Sequence, residues 1–519
     1  MTDPHGSYRA FKQSLGKELD SLMQQGDFKP IFLYHVVFFN CLPFIGLIIP
    51  RRRGGRYVRY FICAVGLGFA FEILRSHRAL IGGNGYMIGI MTAWWLIWCT
   101  TLFMFKDVEH DFRRIERDTK FESESTFSSN NIQGKSAHTD KNDRKRDDLF
   151  HWQSYPRKFS HRLEWCAGLL FNLRGPEWNW RAPHLGPLPQ SVHEQLRSGF
   201  PPNRFRAEDD DTLLTSKQRL RAAFFTCLQS YLLLDALKVI MMRDPYFRGT
   251  AGPNSVPPFP LSYLAPFPLL VRFYHCFLSC VGVYVALNFV TSFGPICFLG
   301  LSLAFPNASR KLTAAPLDEP WLYADSFGPF ISPVLDHGLA GCWGRWWHQL
   351  FRYGFTSTAR WILSLLPRNW TANAQTKRII HIVVAFTLSG FIHACGSYTQ
   401  FPETRPFSGP FLFFSLQSVA IICEHIFKTA IYPQLPLAGT PRWLRRTTNA
   451  MFVFFWLLFS GAFIADDFSR GALWLMEPIP LSPLRGMGLA YGEGWWCWKE
   501  PWFRYWSDGT YWGSGIRVL

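Results

Sequence analysis

A single histidine sits deep inside an otherwise apolar run, His393 in Thr387-Leu388-Ser389-Gly390-Phe391-Ile392-His393-Ala394-Cys395-Gly396-Ser397-Tyr398. An ionisable side chain in such a setting is costly, and so marks either chemistry or a polar contact with a neighbour. On a helix Ser389, His393 and Ser397 fall at i, i+4 and i+8 on one face, flanked by Gly390, Ala394 and Gly396. An imidazole on a small-residue face can take a proton from a hydroxyl that approaches closely. The same Gly, Ala and Ser pattern also serves close packing of two helices, with the histidine bonded across the seam. Spacing alone leaves both open.

A second group of candidates is Cys342-Trp343-Gly344-Arg345-Trp346-Trp347-His348-Gln349-Leu350-Phe351-Arg352. Trp343 and Trp347 offer a flat apolar wall, Arg345 a fixed cation and His348 a titratable donor. Together they suit an anionic, partly apolar ligand; an interfacial Trp/Arg anchor is the alternative. Glu424, His425, Asp235 and Glu72 read as hydrogen-bonding groups between helices, and Asp466-Asp467 as the surface end of a span. The run Glu208-Asp209-Asp210-Asp211 reads as solvated charge. The twelve cysteines form no CxxC pair and lie mostly singly in apolar runs, while Cys276 and Cys280, one turn apart, suit packing. The expectation is no metal, no cofactor and no disulfide. Walker A, GxSxG and HExxH patterns are not found.

The elements that position these residues follow from composition. Of 519 residues 48% are apolar and 17% aromatic, with 49 Phe and 22 Trp gathered in blocks between very polar segments. Such blocks, with Trp and Tyr at their ends, describe membrane spans and their interfaces. Runs of about 20 apolar residues occur near 31–50, 57–74, 86–105, 222–241, 264–290, 378–398, 409–431 and 449–466. The shorter run 290–305 reads as a half-span or a bent continuation. Because backbone groups facing lipid must bond internally, these are helices. The fold class is therefore all-α, a polytopic membrane protein of seven to nine transmembrane helices.

The formal charge of +17 lies beside the apolar blocks, as at Arg51, Arg52, Arg53, Arg56 and Arg59, which fits cytoplasmic loops against anionic lipid rather than nucleic acid. The first apolar run lacks a cleavage pattern and reads as a signal anchor. Three regions result: 1–105 with the first three spans, a cytoplasmic loop at 106–221 with 120–149 disordered, and a membrane core at 222–519. Trp152, Trp165, Trp178 and Trp180 suggest that 150–200 packs on the membrane face, and the tryptophans between 495 and 512 an interfacial belt.

Trp343-Gly344-Arg345 through Trp347-His348-Gln349, followed by Ser389-Gly390-Phe391-Ile392-His393, resembles the wax synthase branch of the membrane-bound O-acyltransferase superfamily. It is most similar to the fungal branch that includes acetyltransferases of terpenoid secondary metabolism. Arg174–Trp180 and Asp244-Pro245-Tyr246-Phe247 share the likeness, which covers about 160–470. Three positions depart from the branch's pattern: Cys342 stands in place of Phe, Trp346 in place of a second Arg, and Glu177 in place of Gly. The resemblance implies a buried active-site tunnel, with His393 as catalytic base and His348 as its supporting catalytic partner. It further implies acetyl-CoA or another acyl-CoA as co-substrate, a lipophilic alcohol as acceptor, and residence in an intracellular membrane such as the endoplasmic reticulum. Trp343, Arg345, Trp347, Ser389 and Ser397 are the candidate substrate-binding residues. Wax ester or sterol ester synthesis is the enzymatic alternative. A transporter of hydrophobic metabolites is the alternative from another class, although the paired, interrupted repeats usual in transporters are not seen.

Overall fold

A computed structural model describes residues 8–51, 54–117, 149–198, 214–435, 439–490 and 493–519. The stretch expected to be disordered, 120–149, lies outside the described residues but for its last position, as does the acidic run at 208–211. In chain order the main helices are α1 (Tyr8–Gln25), α2 (Leu33–Ile48), α3 (Gly55–Ser76), α4 (Tyr86–Phe105), α5 (Ser216–Met241), α6 (Pro268–Ala304), α7 (Ala374–Tyr398), α8 (Phe407–Gln434) and α9 (Arg442–Arg470). Among the described residues, seven helices, α3 to α9, are long and apolar enough to cross a membrane. The chain is an integral membrane protein of helical class.

One expected span takes a different form, and the run 290–305 takes one of its two expected forms, a continuation. Helix α2 has 16 residues and carries Pro43, so at about 1.5 Å per residue it falls short of the ~30 Å hydrocarbon core. The run 290–305 is no separate element but the end of α6, which continues through a π-helical turn at Pro295–Leu299. Pro295 has no N–H to give to the α-helical ladder, and the wider turn accommodates it.

The chain divides into two compact units, the first made of Met1–Lys106, Leu228–Phe289 and Ser326–Leu519. In it α1 buries Tyr8, Leu15, Leu19 and Met23, a stripe at helical spacing. The Tyr8 hydroxyl donates to Glu493 at 2.7 Å and Glu477 at 2.6 Å. Buried Arg485 meets the same two carboxylates at 3.2 and 3.0 Å. A four-stranded sheet runs in the order β2 (His77–Arg78), β1 (Lys29–Phe32), β6 (Ser514–Val518), β5 (Phe503–Ser507). The aromatic C-terminal segment is therefore partly a hairpin, with Trp495, Trp496, Trp502 and Trp512 exposed.

The second unit comprises Asp107–Cys227 and Val290–Asp325. A short antiparallel pair, β3 (Arg114–Arg117) with β4 (Phe150–Gln153), carries Arg114. Its guanidinium is buried between Glu116 and Glu164, 2.6 Å from the latter. Trp165 packs edge-on against Trp178 at 4.9 Å. Glu177 accepts from the Trp178 indole and from Asn172, both at 2.9 Å, and burial raises its carboxyl above the usual range. Trp165, Trp178 and Trp180 are thus buried within this unit, while Trp152 packs against the cluster of Ile115, Phe150 and Trp321.

Candidate active site

Helix α7 starts at an Asn373 cap, whose side chain accepts from the Gln375 amide at 2.8 Å. Its C-terminal half, carrying His393, packs against α4. The seam needs small residues: a Cβ on Gly89 of α4 would run into the Cys395 carbonyl, and one on Gly396 would meet Ile90 and the Tyr86 ring at 2.9 Å. The small-residue face of α7 is therefore used for close helix packing. That packing carries a polar contact, with the Tyr86 hydroxyl 2.7 Å from His393 Nδ1. Tyr86 is held there from below. Gly85, at φ +96, turns the chain into α4, and its carbonyl accepts from the Thr399 hydroxyl at 3.0 Å. On the other side of the imidazole the Phe414 ring stacks at 4.5 Å and 16°.

The segment 342–352 closes on itself. A π-helical turn, Cys342–Trp346, is followed by a hydrogen bond from the Trp347 amide to the Cys342 carbonyl at 2.8 Å. The Gln349 side chain donates to the Gly344 carbonyl, and Arg352 donates to Gln349 at 2.8 Å. Glu424 of α8 anchors the turn from behind, accepting from the Leu339 and Ala340 amides at 3.3 and 3.1 Å. Glu424 is thus the structural hydrogen-bonding group its position suggests.

Rings connect this turn to His393. Phe414 lies 5.9 Å from Trp343, Trp343 lies 5.8 Å from Trp347, and Trp347 lies 5.4 Å from His348. Phe327 and Phe351 face His348 edge-on at 6.0 and 6.4 Å. The Trp343 and Trp456 indoles both donate to buried Gln417, at 3.3 and 3.0 Å, which fixes the tilt of the Trp343 plane. Of the residues singled out from sequence, Trp343, Trp347, His348 and His393 therefore share one aromatic-walled region. Arg345 points elsewhere: it is exposed and lies 3.0 Å from His337. Ser389 is half-buried on the helix of His393. Ser397 is fully buried and donates to Thr404 at 2.9 Å.

One reading is corrected. Asp467 does not lie at the surface, and Asp466 is half-buried. Asp467 is 1% exposed and accepts from the Arg405 amide at 2.7 Å, while Asp466 accepts from the Tyr246 hydroxyl at 2.8 Å. Residues 399–405, beyond α7, fold back over the end of α9, and this reversal covers Asp467. Tyr86, Phe414 and Gln417 do not stand out from sequence. Tyr86 opens an apolar run after Gly-Gly-Asn-Gly, where a tyrosine reads as an interface anchor, and the other two differ in nothing from core residues.

Residues 323–416 match the Membrane bound O-acyl transferase family, a segment that carries both His348 and His393. An acetyltransferase of Hericium erinaceus is 37% identical over 36% of this chain and 47% of its own length. An O-mevalon transferase of Penicillium terrestre is 32% identical over 20% of this chain and 26% of its own. An O-mevalon transferase of Aspergillus niger is 24% identical over 51% of this chain and 53% of its own. The chain thus spans between a quarter and about half of the length of these relatives. No solved structure matches it significantly. The resemblance to membrane-bound O-acyltransferases and to fungal transferases is borne out.

Proposed function

We propose that the chain is a membrane-bound O-acyltransferase that moves an acyl group, acetyl foremost, from acyl-CoA to a hydroxyl of a lipophilic, terpenoid-type metabolite. The observation that carries this reading is His393: an imidazole inside a membrane helix, gripped by Tyr86 at Nδ1 and walled by the rings that lead to His348, within the family-matched segment.

His393 takes the proton of the acceptor hydroxyl through Nε2 as the oxygen attacks the thioester carbonyl. Positioned proton transfer of this kind contributes typically about 10²–10⁴-fold. The C–O bond forms, the C–S bond breaks, and the departing CoA thiolate takes the proton back from the imidazolium. His348 orients the acceptor or donates to the oxyanion that develops on the carbonyl. The membrane setting selects an acceptor that partitions into lipid, which disfavours sugars and most peptides. Trp343 and Trp347 narrow the region around the transferred group, and the Hericium erinaceus relative, an acetyltransferase, supports a short donor in the same way. We place the activity in the endoplasmic reticulum, where CoA thioesters reach a membrane-embedded site from water.

Competition tests the donor and acceptor. Microsomes containing the chain receive acetyl-CoA and palmitoyl-CoA together with a cyclic terpenoid alcohol and a long-chain alcohol, and the esters are resolved by mass spectrometry. The terpenoid acetate is expected to dominate. A dominant palmitoyl ester of the long-chain alcohol would replace this reading with wax ester synthesis.

A further inference from the structure

One buried side chain holds the rings that lead from His393 to the turn at 342–352. Gln417 of α8 is 0% exposed. Its Oε1 accepts from the Trp343 indole at 3.3 Å and from the Trp456 indole at 3.0 Å. Its Nε2 donates to the Phe413 carbonyl and to the Ser460 hydroxyl, both at 3.1 Å. The Ser460 hydroxyl in turn donates to the Trp456 carbonyl at 2.7 Å. An indole N–H only donates, so the two tryptophans require the oxygen and the amide cannot be turned over. With every bond made the carboxamide is rigid, and its loss would leave two indole N–H groups without this acceptor.

Gln417 and Phe414, three residues apart on α8, share a face. Phe414 stacks on the His393 imidazole at 4.5 Å, and Trp343 is the next ring out, 5.9 Å from Phe414. Trp343 is half-buried, and Phe386, Phe413 and Trp347 meet it edge-on at 5.8, 6.0 and 5.8 Å. Ring contacts of this kind keep a tryptophan in place but let its plane tilt; a hydrogen bond is directional and removes that freedom. Joining α8 to α9 needs only the bonds to Trp456 and Ser460. The remaining side-chain bond, to Trp343, reaches the wall of the site. One face of α8 therefore fixes both the ring that covers His393 and the ring beyond it.

We infer, on the reading that acyl transfer takes place at His393, that Gln417 is a positioning residue for donor choice: it holds Trp343 as the end wall of the space for the acyl chain, and so restricts the chain to acetyl or little longer. While Trp343 is fixed, methylenes added to the donor meet a ring that cannot swing aside. Once it is released the ring tilts and a longer chain extends past it. An apolar pocket discriminates typically about 10-fold or more for one misfitting methylene.

Gln417→Met keeps the bulk of the side chain and removes its bonds, and Trp343→Phe removes the same bond from the other partner. Acetyl-CoA and hexanoyl-CoA are each assayed in microsomes with the alcohol that the unaltered chain turns over fastest, and the readout is kcat/KM for hexanoyl-CoA divided by that for acetyl-CoA. The unaltered chain is expected to favour acetyl, and each variant to raise the ratio about 10-fold or more. The double variant should raise it no further than the larger single effect, because the two changes break one bond. Gln417→Glu, whose carboxyl oxygen still accepts from the indoles, should hold the ratio near that of the unaltered chain. A merely structural Gln417 would lower both donors alike. An unmoved ratio in Gln417→Met and Trp343→Phe, or an equal rise in Gln417→Glu and Gln417→Met, would overturn the positioning role and leave acyl transfer standing. No ester from either donor with the unaltered chain would overturn acyl transfer itself. Should Gln417→Met fail to accumulate, Gln417→Asn, which withdraws the amide by one methylene, decides in its place.

Discussion

Replacing Gly89 by Ala tests whether the packing of α4 on α7 sets the site. The added Cβ would meet the Cys395 carbonyl and the Thr399 hydroxyl, roughly 1 Å or more inside the ~3.5 Å that heavy atoms prefer. Most of what it meets is backbone, so rotamer changes cannot relieve it and the two helices must part. Overpacking of this kind costs typically about 1–3 kcal/mol. The functional cost is larger. Tyr86 lies one turn before Gly89 on α4 and Cys395 two residues after His393 on α7, so the separation falls on the 2.7 Å contact between them. A misplacement of about 1 Å at reacting groups can cost on the order of 10²-fold. Gly68 of α3 is the control, because a Cβ there meets nothing within 4 Å, and Ala in place of a helical Gly gains roughly 0.5–1 kcal/mol. Thermal unfolding in detergent and ester formation in microsomes are measured on both variants. Gly89→Ala should lose most of its activity and melt lower, while Gly68→Ala keeps its activity. Wild-type melting and turnover in Gly89→Ala would refute the argument that this seam positions the site.

Two further outcomes follow from the same geometry. His348→Asn should retain measurable ester formation, since Asn still offers a hydrogen bond, whereas His348→Leu should lose it; equal loss in both would assign proton transfer to His348. Burial alone would raise the Glu477 carboxyl, but Lys238 and Arg485 beside it hold it below the usual glutamate range. A carboxyl held low when folded contributes stability above its unfolded pKa of about 4.3, and loses it as pH falls through the folded value. Glu477→Gln should therefore lower the melting midpoint in detergent more at pH 7 than at pH 3, and equal drops would contradict the charge cluster that holds α1.

Hydropathy makes the spans legible because their length is set by the bilayer: 86–105 is marked by apolar content alone and the helix has those bounds. It leaves 290–305 open between a half-span and a continuation, because a proline suggests an interruption; a π-helical turn absorbs that proline and α6 continues. It also passes over α1, whose apolar stripe is too thin to register as a span and is buried against α5 and residues 472–479. His393 stands out because a charge-bearing group in an apolar run is rare. Tyr86, Gln417 and Asp467 do not, since their roles depend on which helices meet. Asp467 reads as the wet end of a span only because the reversal at 399–405 that buries it leaves no periodic signal.

Ester formation by His393→Ala bears most directly on the account. The variant chain is expressed to the same level, its elution from a sizing column in detergent is compared with that of the unaltered chain, and product is followed with the best donor and acceptor pair. The account predicts unchanged accumulation and elution, with turnover lowered by about 10²-fold or more. Half or more of the original product formation would contradict it.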